Sequence, residues 1–194
     1  VEAMLFDNDL TRAYLAIITG LPIEGAKSSG RIFLPGDVGI DVSSETAKVN
    51  GGERTTDYEY GITVGDDAAL YVVANWEGVF YDDDDNNYAA VADPWKIDLE
   101  GEYRATRVSD DGTVEFGYHS DPIRSHYVYE FSFLLADLGI SYGDTVNFHW
   151  TMECGNDYLN LPVTVNHTPE PASMLLLGTG LIGAAAVSRR KFRA

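Results

Sequence analysis

The chain has 194 residues, room for one domain with a sizeable core, and its 12 Tyr, 8 Phe, 3 Trp and 19 Gly favour strands and turns over helices. The formal charge is -18, and because four of the 13 basic residues lie in the last six positions, residues 1–168 hold 9 Lys and Arg against 30 Asp and Glu, a net of -21. Such a body repels nucleic acid and anionic lipid, and its single cysteine, Cys154, excludes an intrachain disulfide and a thiolate zinc cluster.

Taken in chain order, Glu2–Phe6 already reads as a strand, with no initiator Met before it. Export would require a basic, apolar leader upstream of Val1, and one is expected there. Tyr14–Thr19 is apolar on both faces, as a central strand is. In Asp57–Val64, Tyr58, Tyr60, Ile62 and Val64 face one way while Asp57, Glu59 and Thr63 face the other. Period-two runs recur at Leu70–Trp76, Glu102–Val108, Thr113–His119 and Tyr127–Leu135. In Val146–Glu153, Val146, Phe148, Trp150 and Met152 oppose Asn147, His149, Thr151 and Glu153. Turn signals separate the runs at Pro35-Gly36-Asp37, Asn50-Gly51-Gly52, Asp110-Asp111-Gly112 and Tyr142-Gly143-Asp144. About nine strands with short connections predict an all-β antiparallel sandwich, jelly-roll or carbohydrate-binding-module-like, over residues 1–165.

Four groups of residues carry candidate chemistry. Asp7 with Asp9, and Asp37 with Asp41, form a calcium candidate if their loops meet at one end of the sandwich, since hard carboxylate oxygens suit that ion. The competing reading is turn chemistry, in which Asp side chains bond nearby backbone amides. The run Asp82–Asp85 invites a divalent cation in the same way, against the reading of a solvated loop. Around it cluster Trp76, Phe80, Tyr81, Tyr88 and Trp95. If Trp76 and Trp95 are exposed, their rings can stack on sugars; if buried, they are core.

Nothing singles out a catalytic group. Gly139-Ile140-Ser141-Tyr142-Gly143 has the spacing of a nucleophile elbow, but a strand pattern follows where that motif needs a helix. The four histidines, His119, His126, His149 and His167, lack metal-ligand spacing, and no pair among the 31 acids stands out for glycoside hydrolysis. Cys154 has no neighbouring cation to make it nucleophilic. The chain reads as a non-enzyme.

The C-terminus is the most specific region. After a linker at 166–171 containing Pro169-Glu170-Pro171, Ala172–Val187 is 16 residues without a charge, and Arg189, Arg190, Lys191 and Arg193 follow. As a helix that run spans about 24 Å, and Pro171 and Ser188 extend it toward the hydrocarbon thickness of a bilayer. It is apolar around its whole circumference and carries Gly178, Gly180 and Gly183, both features of a membrane span rather than a soluble helix. The expectation is a single transmembrane helix at 172–188 with a basic cytoplasmic tail at 189–194, placing the body outside.

Pro-Glu-Pro, a short Leu/Gly/Ala-rich span and a terminal basic cluster, in that order, resemble the PEP-CTERM sorting signal of Gram-negative bacteria. That resemblance implies export by the Sec pathway, inner-membrane anchoring, and processing near Pro169-Glu170-Pro171 by an exosortase, after which the protein is at the cell surface or released. It also implies an association with exopolysaccharide and biofilm. Glu2–Asp9, Tyr14–Gly20, Pro35–Asp41, Tyr58–Gly61 and His149–Asp157 are similar to blocks recurring in a group of PEP-CTERM ectodomains, and the strand layout is similar, more loosely, to DOMON-type and carbohydrate-binding sandwiches. Exosortase, the inner membrane and an extracellular polysaccharide are therefore the expected partners. The alternative is a carbohydrate-binding module supported by calcium.

Overall fold

The computed structural model describes residues 2–42, 58–80, 92–100, 105–108, 114–121 and 126–166. The expected tail at 167–194 and the Asp82–Asp85 run lie outside them. The described residues form an all-β protein of several antiparallel sheets. The first sheet has four strands: β1 (Ala3–Asn8), β2 (Arg12–Thr19), β11 (Glu115–Asp121) and β12 (His126–Leu134). Their order is β1-β2-β12-β11, which makes β2 an inner strand, its Leu15 and Ile17 buried on one face and its Tyr14 exposed on the other.

The second sheet has six strands: β5 (Val38–Asp41), β6 (Tyr60–Ile62), β7 (Leu70–Val72), β10 (Thr106–Arg107), β13 (Thr145–Thr151) and β14 (Tyr158–Thr164). Its order is β10-β7-β6-β5-β13-β14. Two small ribbons complete the fold, β3 (Ala26–Ser28) with β4 (Arg31–Phe33) and β8 (Trp76–Glu77) with β9 (Lys96–Ile97). A 3-10 turn, Leu135–Leu138, joins β12 to the loop before β13 and ends on Gly139 in the left-handed region.

The two large sheets face each other because their alternating apolar residues have nowhere else to go. Leu15 and Ile17 of β2 and Tyr129, Phe131 and Phe133 of β12 share one core with Ile40, Ile62, Val146, Phe148 and Trp150 of the opposite sheet. Phe148 meets Phe6 at 5.4 Å and Phe133 at 6.3 Å, and Trp150 meets Tyr129 at 6.1 Å. Phe148 is fully buried, so truncating it to Ala costs about 3–5 kcal/mol.

The Pro35-Gly36-Asp37 turn signal proves to be a crossing point. Gly36 N–H donates to the Thr151 carbonyl (3.0 Å), Asp37 N–H to the Trp95 carbonyl (2.7 Å), and the Trp150 indole N–H to the Gly36 carbonyl (2.9 Å). A Cβ on Gly36 would stand 2.3 Å from Trp95 O and 2.6 Å from Thr151 O, both fixed backbone atoms. The buried Asp37 carboxylate then accepts from Val64 N–H (2.9 Å) and Ile97 N–H (3.0 Å), tying β5 to the end of β6 and to β9.

On the outer side of the six-stranded sheet, Gly39 and Gly61 are register partners, and their missing side chains make room for rings. The Tyr58 ring lies over Gly39 and the Trp76 indole over Gly61. His149 is fully buried beside them, stacked on Tyr58 at 5.2 Å. Burial holds its pKa below the ordinary value. Its Nε2 is 3.0 Å from the Ala92 carbonyl, which can only accept. Its Nδ1 is 2.7 Å from the Asn160 side-chain Oδ1, so both ring nitrogens are engaged by oxygen partners.

Substitutions at the crossing should be costly. Gly36→Ala is expected to lower unfolding free energy by more than about 2 kcal/mol, because neither carbonyl can retreat without breaking a sheet. For Asp37, burial outweighs its two amide hydrogen bonds and raises the pKa to about 6 from 3.8. The folded carboxyl therefore keeps its proton over a pH range where the unfolded one has lost it. This favours the fold fully below pH 3.8, and the advantage is lost as pH rises through 6, about 3 kcal/mol in all. Urea titrations of wild type and Asp37→Asn from pH 4 to 7 should show wild type losing stability relative to the variant as pH rises. A pH-independent gap would contradict this assignment.

Candidate functional site

Two places on the described residues bear on function: the point where the chain heads into its C-terminal segment, and the outer face of the four-stranded sheet. β14 is an edge strand, which lets it contain Pro162 without losing a ladder bond on its open side. After it the chain is held residue by residue. Gly143 N–H donates to the Val165 carbonyl and Val165 N–H to the Asp144 carbonyl, each at 2.9 Å. Asn8, buried at the end of β1, donates from Nδ2 to the Asn166 carbonyl (2.7 Å) and accepts the Asn166 N–H on Oδ1 (3.2 Å). The body is thus pinned to within three positions of Pro169.

The four aspartates expected to share a calcium ion are not brought together. Asp9 closes the β1–β2 turn: its Oδ1 accepts from Thr11 N–H (2.7 Å) and Arg12 N–H (2.8 Å), and its Oδ2 from the Tyr14 hydroxyl (2.7 Å). Those bonds, Thr11 first, hold its pKa well below the usual carboxylate range. Asp7 accepts the N–H of Asn8 (2.8 Å). Asp41 ends β5 in the other sheet, and Asp37, directly before that strand, serves backbone amides. Among the described residues no group of three or more His, Cys, Asp or Glu is placed to hold a metal ion. Turn chemistry and backbone capping account for Asp7, Asp9 and Asp37.

Nor do Trp76 and Trp95 form a surface platform. Trp95 is buried at 8 % exposure with the Lys96 ammonium over its ring, in a small cluster with Val79 and Ala92. Trp76 is half-buried on Gly61, its N–H donating to the Tyr58 carbonyl at 3.1 Å. Trp95 packs as core, and Trp76 as a half-buried ring on the sheet. Gly139–Gly143 leads through a turn into β13, so no helix follows Ser141. His119 pairs with Glu130 at 2.9 Å and His126 with Glu2 at 2.8 Å, both on the surface.

Sequence reasoning missed the outer face of the four-stranded sheet. Register aligns Leu5, Ala16, Glu130 and Gly117 in one row across it, and Asp7, Tyr14, Ser132 and Glu115 in the next. Between these rows runs an open groove of about 520 Å³. Arg12 reaches over its end, donating to the Ser132 hydroxyl (2.7 Å) and lying 3.6 Å from Glu115.

Residues 167–191 match the PEP-CTERM protein-sorting motif. The chain is a PEP-CTERM protein, a substrate for exosortase processing. Proteins carrying this motif are exported, anchored in the membrane by it and sorted to the cell surface. The match includes Pro169, Glu170, Pro171, Arg189, Arg190 and Lys191, and stops before Arg193. No curated protein and no solved structure matches the chain. Among the described residues no helix is long and apolar enough to cross a membrane.

The reciprocal Asn8–Asn166 pair is expected to hold the end of the body closed. Asn8→Ala removes both bonds, which should cost about 1–3 kcal/mol at about 0.5–1.5 kcal/mol each. Hydrogen exchange at Asn166 N–H should quicken in the variant. Unchanged protection would mean that the hairpin contact at Asp144 alone fixes this end.

Proposed function

We propose that this chain is a non-catalytic component of the extracellular polymer matrix of a Gram-negative bacterium, delivered by its tail. Its two facing sheets are read as a β-sandwich of the jelly-roll or carbohydrate-binding-module class. Residues 172–188 anchor it in the inner membrane with Arg189, Arg190, Lys191 and Arg193 on the cytoplasmic side. Exosortase then acts at Pro169-Glu170-Pro171, and the body passes to the surface, where it works with exopolysaccharide in a biofilm.

The observation that carries this reading is the sorting motif at 167–191, beginning directly after the pinned Asn166. A folded body that ends so close to the motif is built to be carried by it. The strongly acidic surface keeps such a body soluble and away from nucleic acid and anionic lipid. A second reading, a carbohydrate-binding module, is favoured by the open groove on the four-stranded sheet, without calcium or the two tryptophans.

Cell fractionation of an exosortase-bearing host tests the delivery route. Wild type should reach the surface or medium, and a chain with Pro169→Ala and Glu170→Ala should stay in the inner membrane. Equal surface amounts of the two would overturn the proposal.

A further inference from the structure

We infer that the groove on the outer face of the four-stranded sheet is a binding site for a neutral oligosaccharide chain. The inference deepens the matrix reading above by naming the site and the ligand class.

Gly117 is the first observation. A glycine inside a strand weakens it, and marks a bulge, a bend or a place where something approaches closely. The β11–β12 register runs unbroken from Glu115↔Ser132 to Asp121↔His126, so there is no bulge. Its φ is not in the left-handed region, and a Cβ there would meet nothing closer than 3.6 Å. The protein's own packing does not ask for glycine. In the same row, Ala16 on β2 is the other small residue, and the two form the groove floor on either side of Glu130.

The wall chemistry is the second observation. Tyr14 is 41 % exposed and its hydroxyl reaches back along the hairpin to Asp9. A tyrosine tied by its tip to a turn beyond its own register partner lies along the sheet instead of standing off it, presenting a ring face. The C–H face of a sugar ring packs on that electron-rich surface. Leu5, 55 % exposed, adds apolar wall. Asp7, Glu115 and Glu130 supply acceptors for sugar hydroxyls, which form strong bonds to ionised carboxylates. His119 holds Glu130 at 2.9 Å over Gly117, so this acceptor is already oriented.

Charge selects among occupants. Three carboxylates line the groove; the Arg12 guanidinium near it already faces Glu115, and the His119 imidazole faces Glu130. Acidic polymers and anionic lipid are repelled, and a second copy would bring the same three carboxylates against them. An uncharged chain of hydroxyl donors meets no such penalty. The volume of about 520 Å³ is that of a small-ligand cleft, which runs from about 300 to 1,000 Å³.

The test is calorimetric titration of the full chain, held in a polyoxyethylene detergent that carries no sugar. Cellohexaose, laminarihexaose and mannohexaose are the neutral probes, with polygalacturonate as the acidic comparator. At least one neutral probe should bind. Tyr14→Ala and the groove-filling Ala16→Trp should each weaken it tenfold or more, while Tyr142→Ala, in an exposed turn, should not. Each variant is first required to melt as wild type, and Glu130→Gln, which keeps shape and loses charge, stands in for any that does not. No neutral binding, binding unchanged in the groove variants, or tighter binding of polygalacturonate would overturn the inference. So would a concentration-dependent dimer abolished by Ala16→Trp, which would assign the face to a second copy. Sorting is read separately: a chain that is delivered to the surface but binds no neutral probe refutes the groove alone, and one that binds but is not processed refutes only the delivery route.

Discussion

Where Gly36 passes Trp95 and Thr151, three backbone segments come within hydrogen-bonding distance and leave no space for a side chain. The rest of the six-stranded sheet depends on that approach. It starts β5 against β13, sets the β8–β9 ribbon over the sheet and delivers Asp37 to two otherwise unsatisfied amides. Burying a carboxylate is unfavourable, and the raised pKa of Asp37 expresses that cost. The offsetting gain is a backbone junction in which the donors of Val64 and Ile97 are satisfied without water. Trp150 completes the junction by donating to Gly36 while its ring packs against Tyr129 of the opposite sheet. One local contact thus couples both sheets.

A second clamp fixes the β3–β4 ribbon. Arg31 pairs with the buried Glu153, whose other oxygen accepts Leu34 N–H, and the guanidinium lies 3.8 Å from the centre of the Phe80 ring. Charge, hydrogen bond and ring act on one side chain here. In a chain with so few cations, Arg31 is therefore placed to neutralise an acid that would otherwise be buried alone.

The strands that pair over many residues were legible in the sequence. β12 and β13 announce themselves by alternation, and Tyr14–Thr19 reads as an inner strand, although its outer face, with Tyr14, is open. The short strands were not. β5 follows a strong turn signal with only Val38 to Asp41, and β3, β4 and β9 are too brief to show a period; β14 is as long as β13 but its pattern is masked by Pro162. Glycines hid the aromatic layer: Trp76 and Tyr58 look like exposed residues until Gly39 and Gly61 are seen side by side. Aspartates misled for a similar reason, since backbone amides and a metal ion ask for the same oxygens. The groove was illegible because its residues come from four strands, and only register puts Gly117 and Ala16 on either side of Glu130. The tail was the opposite case, a linear signal whose order and spacing are its meaning.

Structure and sorting signal meet at Asn166. The body is closed there by hydrogen bonds to Asn8 and to the Asp144 hairpin, and the motif follows at once. The direct measurement is the intact mass and C-terminal peptide of the surface form. A chain ending close to Pro169-Glu170-Pro171, without Ala172–Val187 and the basic cluster, is the predicted result. A surface form that retains Arg189 through Arg193 would contradict the account.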